Sequence, residues 1–135
     1  MIFLEQSVLR VLVADDHELT RFSLKAALRN QPGIELVGLA VNGFEAVQMV
    51  QQHRPDVVIL DLQMPVMDGM SAASEIKRHV PQVQILAYSS LEDPKVEPLL
   101  REATITEICH KDTPTADLIA KVRQMGLPLV EYPVF

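Results

Sequence analysis

The 135-residue chain predicts a doubly wound α/β sandwich built on a five-stranded parallel sheet. Three observations carry this. Short β-branched apolar runs alternate with stretches of helical spacing along the whole chain. The run Val57-Val58-Ile59-Leu60 is continuously apolar, as a strand covered on both faces must be. That run and three others end in charged or hydroxyl side chains, at the edge where open α/β sheets place their chemistry.

The first strand is Val8 to Ala14 and ends in Asp15-Asp16. From His17 to Asn30, Leu19, Phe22, Ala26 and Leu28, with Leu24 and Ala27 between them, give helical spacing that Gln31-Pro32-Gly33 breaks. Ile34 to Val41 is the second strand and Asn42-Gly43 the turn after it. Phe44 to His53 is a helix with Ala46, Val47 and Val50 inward, and Arg54 before Pro55 disfavours its continuation. The third strand delivers Asp61. A helix follows from about Gly69 to His79, with Ala72, Ala73 and Ile76 as its stripe. Val83 to Tyr88 is the fourth strand and closes on Ser89-Ser90. Asp93-Pro94 has the form of a helix start, but Pro98 lacks the N–H that an interior turn needs. A short helix beginning near Pro98 is therefore expected. Thr104 to His110 is the fifth strand, followed by Lys111. Thr113-Pro114 caps a last helix through Met125, stopped by Gly126 and Pro128. Right-handed crossovers and five strands suit the flavodoxin-like (βα)5 order 2-1-3-4-5, with its switch point between strands 1 and 3.

Composition narrows the function. The chain is 48% hydrophobic and carries a net charge of -6, which speaks against a free-standing nucleic-acid binder with a basic stripe. A single cysteine, Cys109, rules out an internal disulfide framework and fits a cytoplasmic setting. No apolar run reaches the roughly 18 residues of a membrane span. Residues 1–7 read as an N-terminal tail, 8–126 as one domain, and 127–135 as a C-terminal tail or linker stump.

In this topology Asp15, Asp16 and Asp61 converge in one crevice. Three carboxylates repel one another, and a hard divalent cation relieves that repulsion. Mg²⁺ suits the oxygen donors: Asp16 and Asp61 through side chains, Asp15 through water, and the Gln63 main-chain carbonyl. Aspartate is also a nucleophile that forms aspartyl phosphates. Ser89 adds a hydroxyl and Lys111 an ammonium that suits a phosphate. Taken singly, each residue has a plainer role: a helix cap for Asp15 or Asp16, a turn for Asp61, a loop hydroxyl, a solvated lysine. Their placement at the ends of strands 1, 3, 4 and 5 is what points to phosphate chemistry. His17, His53, His79 and His110 show no ligand spacing and read as surface or cap residues. Cys109 reads as an inert core thiol.

Asp15-Asp16, then Asp61-x-x-Met64-Pro65-x-x-Asp68-Gly69, then Ser89, then Lys111 resembles the receiver domain of two-component response regulators. The likeness covers residues 8 to about 125. Val13-Ala14-Asp15-Asp16-His17, Val37 to Val47 and Lys111-Asp112 are most similar to the NarL/LuxR subfamily. The resemblance implies that Asp61 accepts a phosphoryl group from a sensor histidine kinase. It implies Mg²⁺ at Asp15, Asp16, Asp61 and the Gln63 carbonyl, Ser89 as the switch hydroxyl and Lys111 as its charged partner. Kinase docking near Leu19, Phe22 and the loop after strand 5 is a further implication, set against a core role for both side chains. So are a DNA-binding effector domain missing from this chain, and a homodimer.

Three departures fall on one face. Ile108 stands where the family carries an aromatic, Thr104-Ile105 replaces its Gly-Ala, and Pro98 lies in the fourth-helix region. They predict altered readout there. The leading expectation is a phosphoryl-accepting switch and not a turnover enzyme. The competing one is a phosphorylation-independent interaction module. A flavin site would want a Gly- and hydroxyl-rich loop after strand 1, where Asp15-Asp16-His17-Glu18 stands. An aspartyl phosphatase would want an acid in place of Gln63.

Overall fold

In the computed structural model, residues 8–89, 96–102 and 104–126 are described. The order is β1 (Leu9–Ala14), α1 (Glu18–Arg29), β2 (Ile34–Ala40), α2 (Gly43–His53), β3 (Val57–Asp61), α3 (Gly69–His79), β4 (Gln84–Ser89), α4 (Val96–Arg101), β5 (Glu107–His110) and α5 (Thr115–Gly126). All strand pairs are parallel and the sheet runs β2-β1-β3-β4-β5, as expected. Asp93-Pro94 and the 1–7 and 127–135 tails lie outside the described residues.

Alternation along the strands divides the core in two. Leu12 and Ala14 of β1 and Val58 and Leu60 of β3 face α2, α3 and α4 through Val50, Ile76 and Val96. Val11, Val13, Val57 and Ile59 face α1 and α5 through Leu24, Leu28, Leu118 and Val122. Every residue of β3 is buried, the result of helices on both faces. Each fully buried Val, Leu or Ile contributes about 1.5–3 kcal/mol, so β3 is the most strongly anchored part of the sheet.

Several boundaries differ from expectation, each for a hydrogen-bonding reason. The fourth strand starts at Gln84, because the Val83 N–H is used by the Val80 carbonyl in the turn before it. The fifth starts at Glu107 and not Thr104: the amides of Thr104 and Ile105 donate to the Leu99 carbonyl, at 2.9 and 3.2 Å. The fourth helix begins at Val96, two residues before the expected start. Pro98 is the third residue of that described span. Gly126 closes α5 instead of following it. Arg54, before Pro55, ends α2 in the left-handed region at φ 47 and ψ 62, its N–H still bonded to the Val50 carbonyl.

The first helix turns only part of its apolar spacing inward. Leu24 and Leu28 are buried, whereas Leu19 is 82% and Phe22 59% exposed. Among the described residues, nothing buries Leu19 or Phe22 in the core.

Candidate functional site

Register builds the site. Ala14 pairs with Leu60, so the residues that follow them, Asp15 and Asp61, leave adjacent strands side by side. Asp61 pairs with Tyr88, which sets Ser89 one step beyond, and Ser89 pairs with His110. The Lys111 amide donates to the Ser89 carbonyl at 2.8 Å, so the lysine turns in at the same edge. Asp15, Asp61 and Ser89 are the buried polar residues of the described chain, exposed by 1%, 3% and 4%.

The two buried aspartates make the same local bond. Oδ1 of Asp15 accepts the His17 amide at 2.8 Å, and Oδ1 of Asp61 accepts the Gln63 amide at 3.0 Å. Each is a side-chain turn closed two residues on. It commits one carboxylate oxygen to the backbone and leaves the other, Oδ2, aimed into the crevice, where it faces the Lys111 ammonium. The Lys111 ammonium lies 2.9 Å from Asp15 Oδ2 and 3.3 Å from Asp61 Oδ2. Tyr88 backs the lysine: its ring centroid is 5.7 Å from the ammonium, and its hydroxyl reaches the Lys111 carbonyl at 3.4 Å. The Arg21 guanidinium holds the Asp15 carbonyl at 2.8 Å.

Burial raises the Asp61 pKa above the ordinary aspartate value, and repulsion from Asp15 adds to it. The Gln63 amide and the Lys111 ammonium pull the other way. Burial works against the Lys111 charge, but the bonds and attraction to Asp15 and then Asp61 outweigh it and raise the lysine pKa. The crevice therefore holds a buried negative charge that one ammonium offsets only in part.

The loop after Asp61 is shaped by close approach. Leu62 and Met64 are buried and anchor it. Asp68 caps α3 by accepting the Ser71 amide at 2.8 Å. A Cβ on Gly69 would stand 2.1 Å from the Asp61 carbonyl oxygen and 2.4 Å from the Leu62 Cα. Gly69→Ala must push the Asp61 backbone aside, and a loss of at least about 3 kcal/mol in urea unfolding is expected. Val66 has φ 71 in a three-residue turn closed by the Met67 amide on the Pro65 carbonyl at 2.8 Å. A β-branched residue is strained there. Its side chain is 84% exposed and contributes little packing, so Val66→Gly is expected to raise stability by about 1 kcal/mol in the same assay.

All the predicted side chains thus reach one rim. Asp16 is at its exposed lip, and Gln63 lies there through its backbone amide. Sequence reasoning missed His17. Its Nδ1 is 2.9 Å from Asp15 Oδ1, 3.3 Å from Asp16 Oδ1 and 3.9 Å from Asp61 Oδ2, so it belongs to the crevice. The available signal was its position directly after the acid pair, not a ligand spacing. One ligand atom each from Asp15, Asp16, His17 and Asp61 can be chosen within 4.8 Å of one another. The donor chemistry and the two buried oxygens that share one ammonium fit a hard divalent cation. Among the described residues, no helix is long and apolar enough to cross a membrane.

Comparison with known proteins agrees with this geometry. The sequence model of the response regulator receiver domain matches residues 11–123. The transcriptional regulatory protein LiaR of Bacillus subtilis is 35% identical over 130 residues, 94% of this chain and 61% of LiaR. The response regulator protein VraR of Staphylococcus aureus is 35% identical over 117 residues, 86% of this chain and 56% of VraR. The chain thus spans about three fifths of these relatives. The receiver domain of NarL from Mycobacterium tuberculosis superposes with a TM-score of 0.83 at 27% identity, over 90% of this chain and 98% of that one. The response regulator domain of Thermotoga maritima CheB gives 0.80 at 28% identity, over 88% and 96%.

Proposed function

The chain belongs to the response regulator receiver domain family, in its NarL/LuxR branch, and from this we propose that Asp61 is the residue that accepts a phosphoryl group from a histidine kinase. The observation that carries the proposal is the Asp61 Oδ2 atom. It is buried, free of any backbone bond, and faces the Lys111 ammonium at 3.3 Å.

Oδ2 attacks phosphorus as a carboxylate while the bond from phosphorus to the donor's nitrogen or oxygen breaks. Its Oδ1 stays on the Gln63 amide, which fixes the direction of attack. Lys111 stays charged and meets the incoming phosphoryl oxygens. Ser89, buried beside the lysine, is the hydroxyl that binds the product. Asp15, Asp16, Asp61 and the Gln63 carbonyl would hold Mg²⁺, which supplies charge neutralisation for the transferring group. The reaction stops at the acyl phosphate, so the domain is a stoichiometric acceptor and not a turnover enzyme. Phosphorylation adds charge and acceptor oxygens that draw Ser89 and Lys111 inward and bias the β4–α4–β5 face. Ile108, half-buried against the α4 side of the core, makes that readout aliphatic.

The exposed Leu19 and Phe22 of α1, next to the rim, form the kinase contact. In a longer protein the output passes to a transcription-regulating effector domain, directly or through a homodimer, in the cytoplasm. Incubation with acetyl phosphate and Mg²⁺ is expected to add one phosphoryl mass to the intact protein, and chelation to prevent it. A protein that binds Mg²⁺ and gains no adduct would instead be a phosphorylation-independent interaction module.

A further inference from the structure

We propose that His17 is a nitrogen donor to the acidic crevice, so that the site holds borderline divalent ions such as Co²⁺ through imidazole as well as carboxylate and separates them from Mg²⁺ by that side chain. The inference rests on the reading of Asp15, Asp16 and Asp61 as a cation site and extends it.

The backbone places the imidazole there. His17 is the N-cap of α1, in extended conformation at φ -85 and ψ 116, and its side chain makes no cap hydrogen bond. Histidine is not among the residues favoured for capping, so the helix end does not account for it. Its amide is tied to Asp15 Oδ1 at 2.8 Å, and its ring turns back over the crevice with Nδ1 within 3.9 Å of all three carboxylates. Burial does not hold the ring, whose side chain is 62% exposed; the carboxylates do. The second observation is beneath it. Asp15 Oδ2 and Asp61 Oδ2 are buried and share the single Lys111 ammonium, at 2.9 and 3.3 Å, so one positive charge stands against three negative ones.

With no ion bound, the tautomer protonated at Nδ1 donates to Asp15 Oδ1, 2.9 Å away. On ligation the ring takes the other neutral tautomer: Nδ1 loses its proton to solvent, Nε2 takes one up, and the Nδ1 lone pair goes to the ion. Imidazole suits cobalt, nickel and zinc, whereas Mg²⁺ takes oxygen ligands. The same side chain therefore adds affinity for the first group and none for the second.

The test uses the whole chain with one equivalent of Co²⁺, and separately with Mg²⁺, in wild type, His17→Ala and His17→Gln. The Gln variant keeps a hydrogen-bond donor for Asp15 without an imidazole. Proton NMR of the Co²⁺ form is expected to show strongly shifted imidazole resonances in wild type that both variants lack. Both variants are expected to lose about tenfold or more in Co²⁺ affinity by calorimetry and to keep Mg²⁺ affinity within about twofold. Bound Co²⁺ without such resonances, or an equal fall for both ions, would overturn the inference and make His17 a positioning partner of Asp15, with the cation site intact. A wild type that binds neither ion would overturn the site reading itself.

Discussion

Asp61→Asn is expected to abolish phosphoryl uptake and, in the same protein, to raise stability when no divalent ion is present. The second effect follows from burial. The folded-state pKa of Asp61 lies above 3.8, its ordinary value, because burial and then Asp15 disfavour the charge more than the Gln63 amide and Lys111 restore it. Between 3.8 and that raised value the folded state binds more protons than the unfolded one, so stability falls as pH rises through this window. At neutral pH the ionised carboxylate therefore costs stability, which asparagine does not. Lys111 keeps Asp15 as its partner at 2.9 Å in the variant. A gain of about 1 kcal/mol would raise Tm by roughly 4 °C in a domain of this size. The gain should vanish below about pH 4, where Asp61 is protonated in both states. It should also shrink as Mg²⁺ is added, since ligand binding stabilises only the protein that binds it well. Thermal unfolding in chelator at neutral and acid pH checks both signs.

Lys111→Ala removes the opposite member of the same balance. Asp15 and Asp61, exposed by 1% and 3%, would face each other with no ammonium between them. Breaking a buried ion pair from one side costs about 3–5 kcal/mol, because the other charge is left uncompensated. The Lys111 side chain is 16% exposed, so water can enter and the lower end of that range, about 3 kcal/mol, is expected. That is a large part of the roughly 5–15 kcal/mol stability of a typical domain. Urea unfolding in chelator measures it. Saturating Mg²⁺ should return part of the loss, since a cation replaces the missing positive charge. The raised lysine pKa means that its contribution is complete below 10.5 and disappears only as pH climbs through the raised folded value, so the deficit of the variant should be constant across neutral pH.

These opposite signs come from one crevice whose parts were legible in the sequence to different degrees. Val57 to Leu60 announces β3 because only a doubly covered strand is apolar at every position. Asp15, Asp61, Ser89 and Lys111 could be assembled because each follows an apolar run, and parallel strands bring such positions to a common edge. His17 could not. Its place over the crevice depends on a side-chain turn at Asp15 that no ligand spacing encodes. Leu19 and Phe22 stayed open between a docking and a core role for a related reason. The first helix carries two apolar stripes, and periodicity does not say which one meets the sheet. The start of β5 was lost to local hydrogen bonding, since the Thr104 and Ile105 amides are drawn to Leu99. Pro98 looked like an obstacle because its effect turns on whether it lies in a first turn or an interior one.

The central claim is that Asp61, and no other carboxylate of the crevice, carries the phosphoryl group. Borohydride reduces an aspartyl phosphate to homoserine, which marks the modified position permanently. After treatment with acetyl phosphate and Mg²⁺ followed by borohydride, peptide mass spectrometry is predicted to find homoserine at position 61 and nowhere else. Homoserine at position 15 or 16, or at none of the three, would contradict the account.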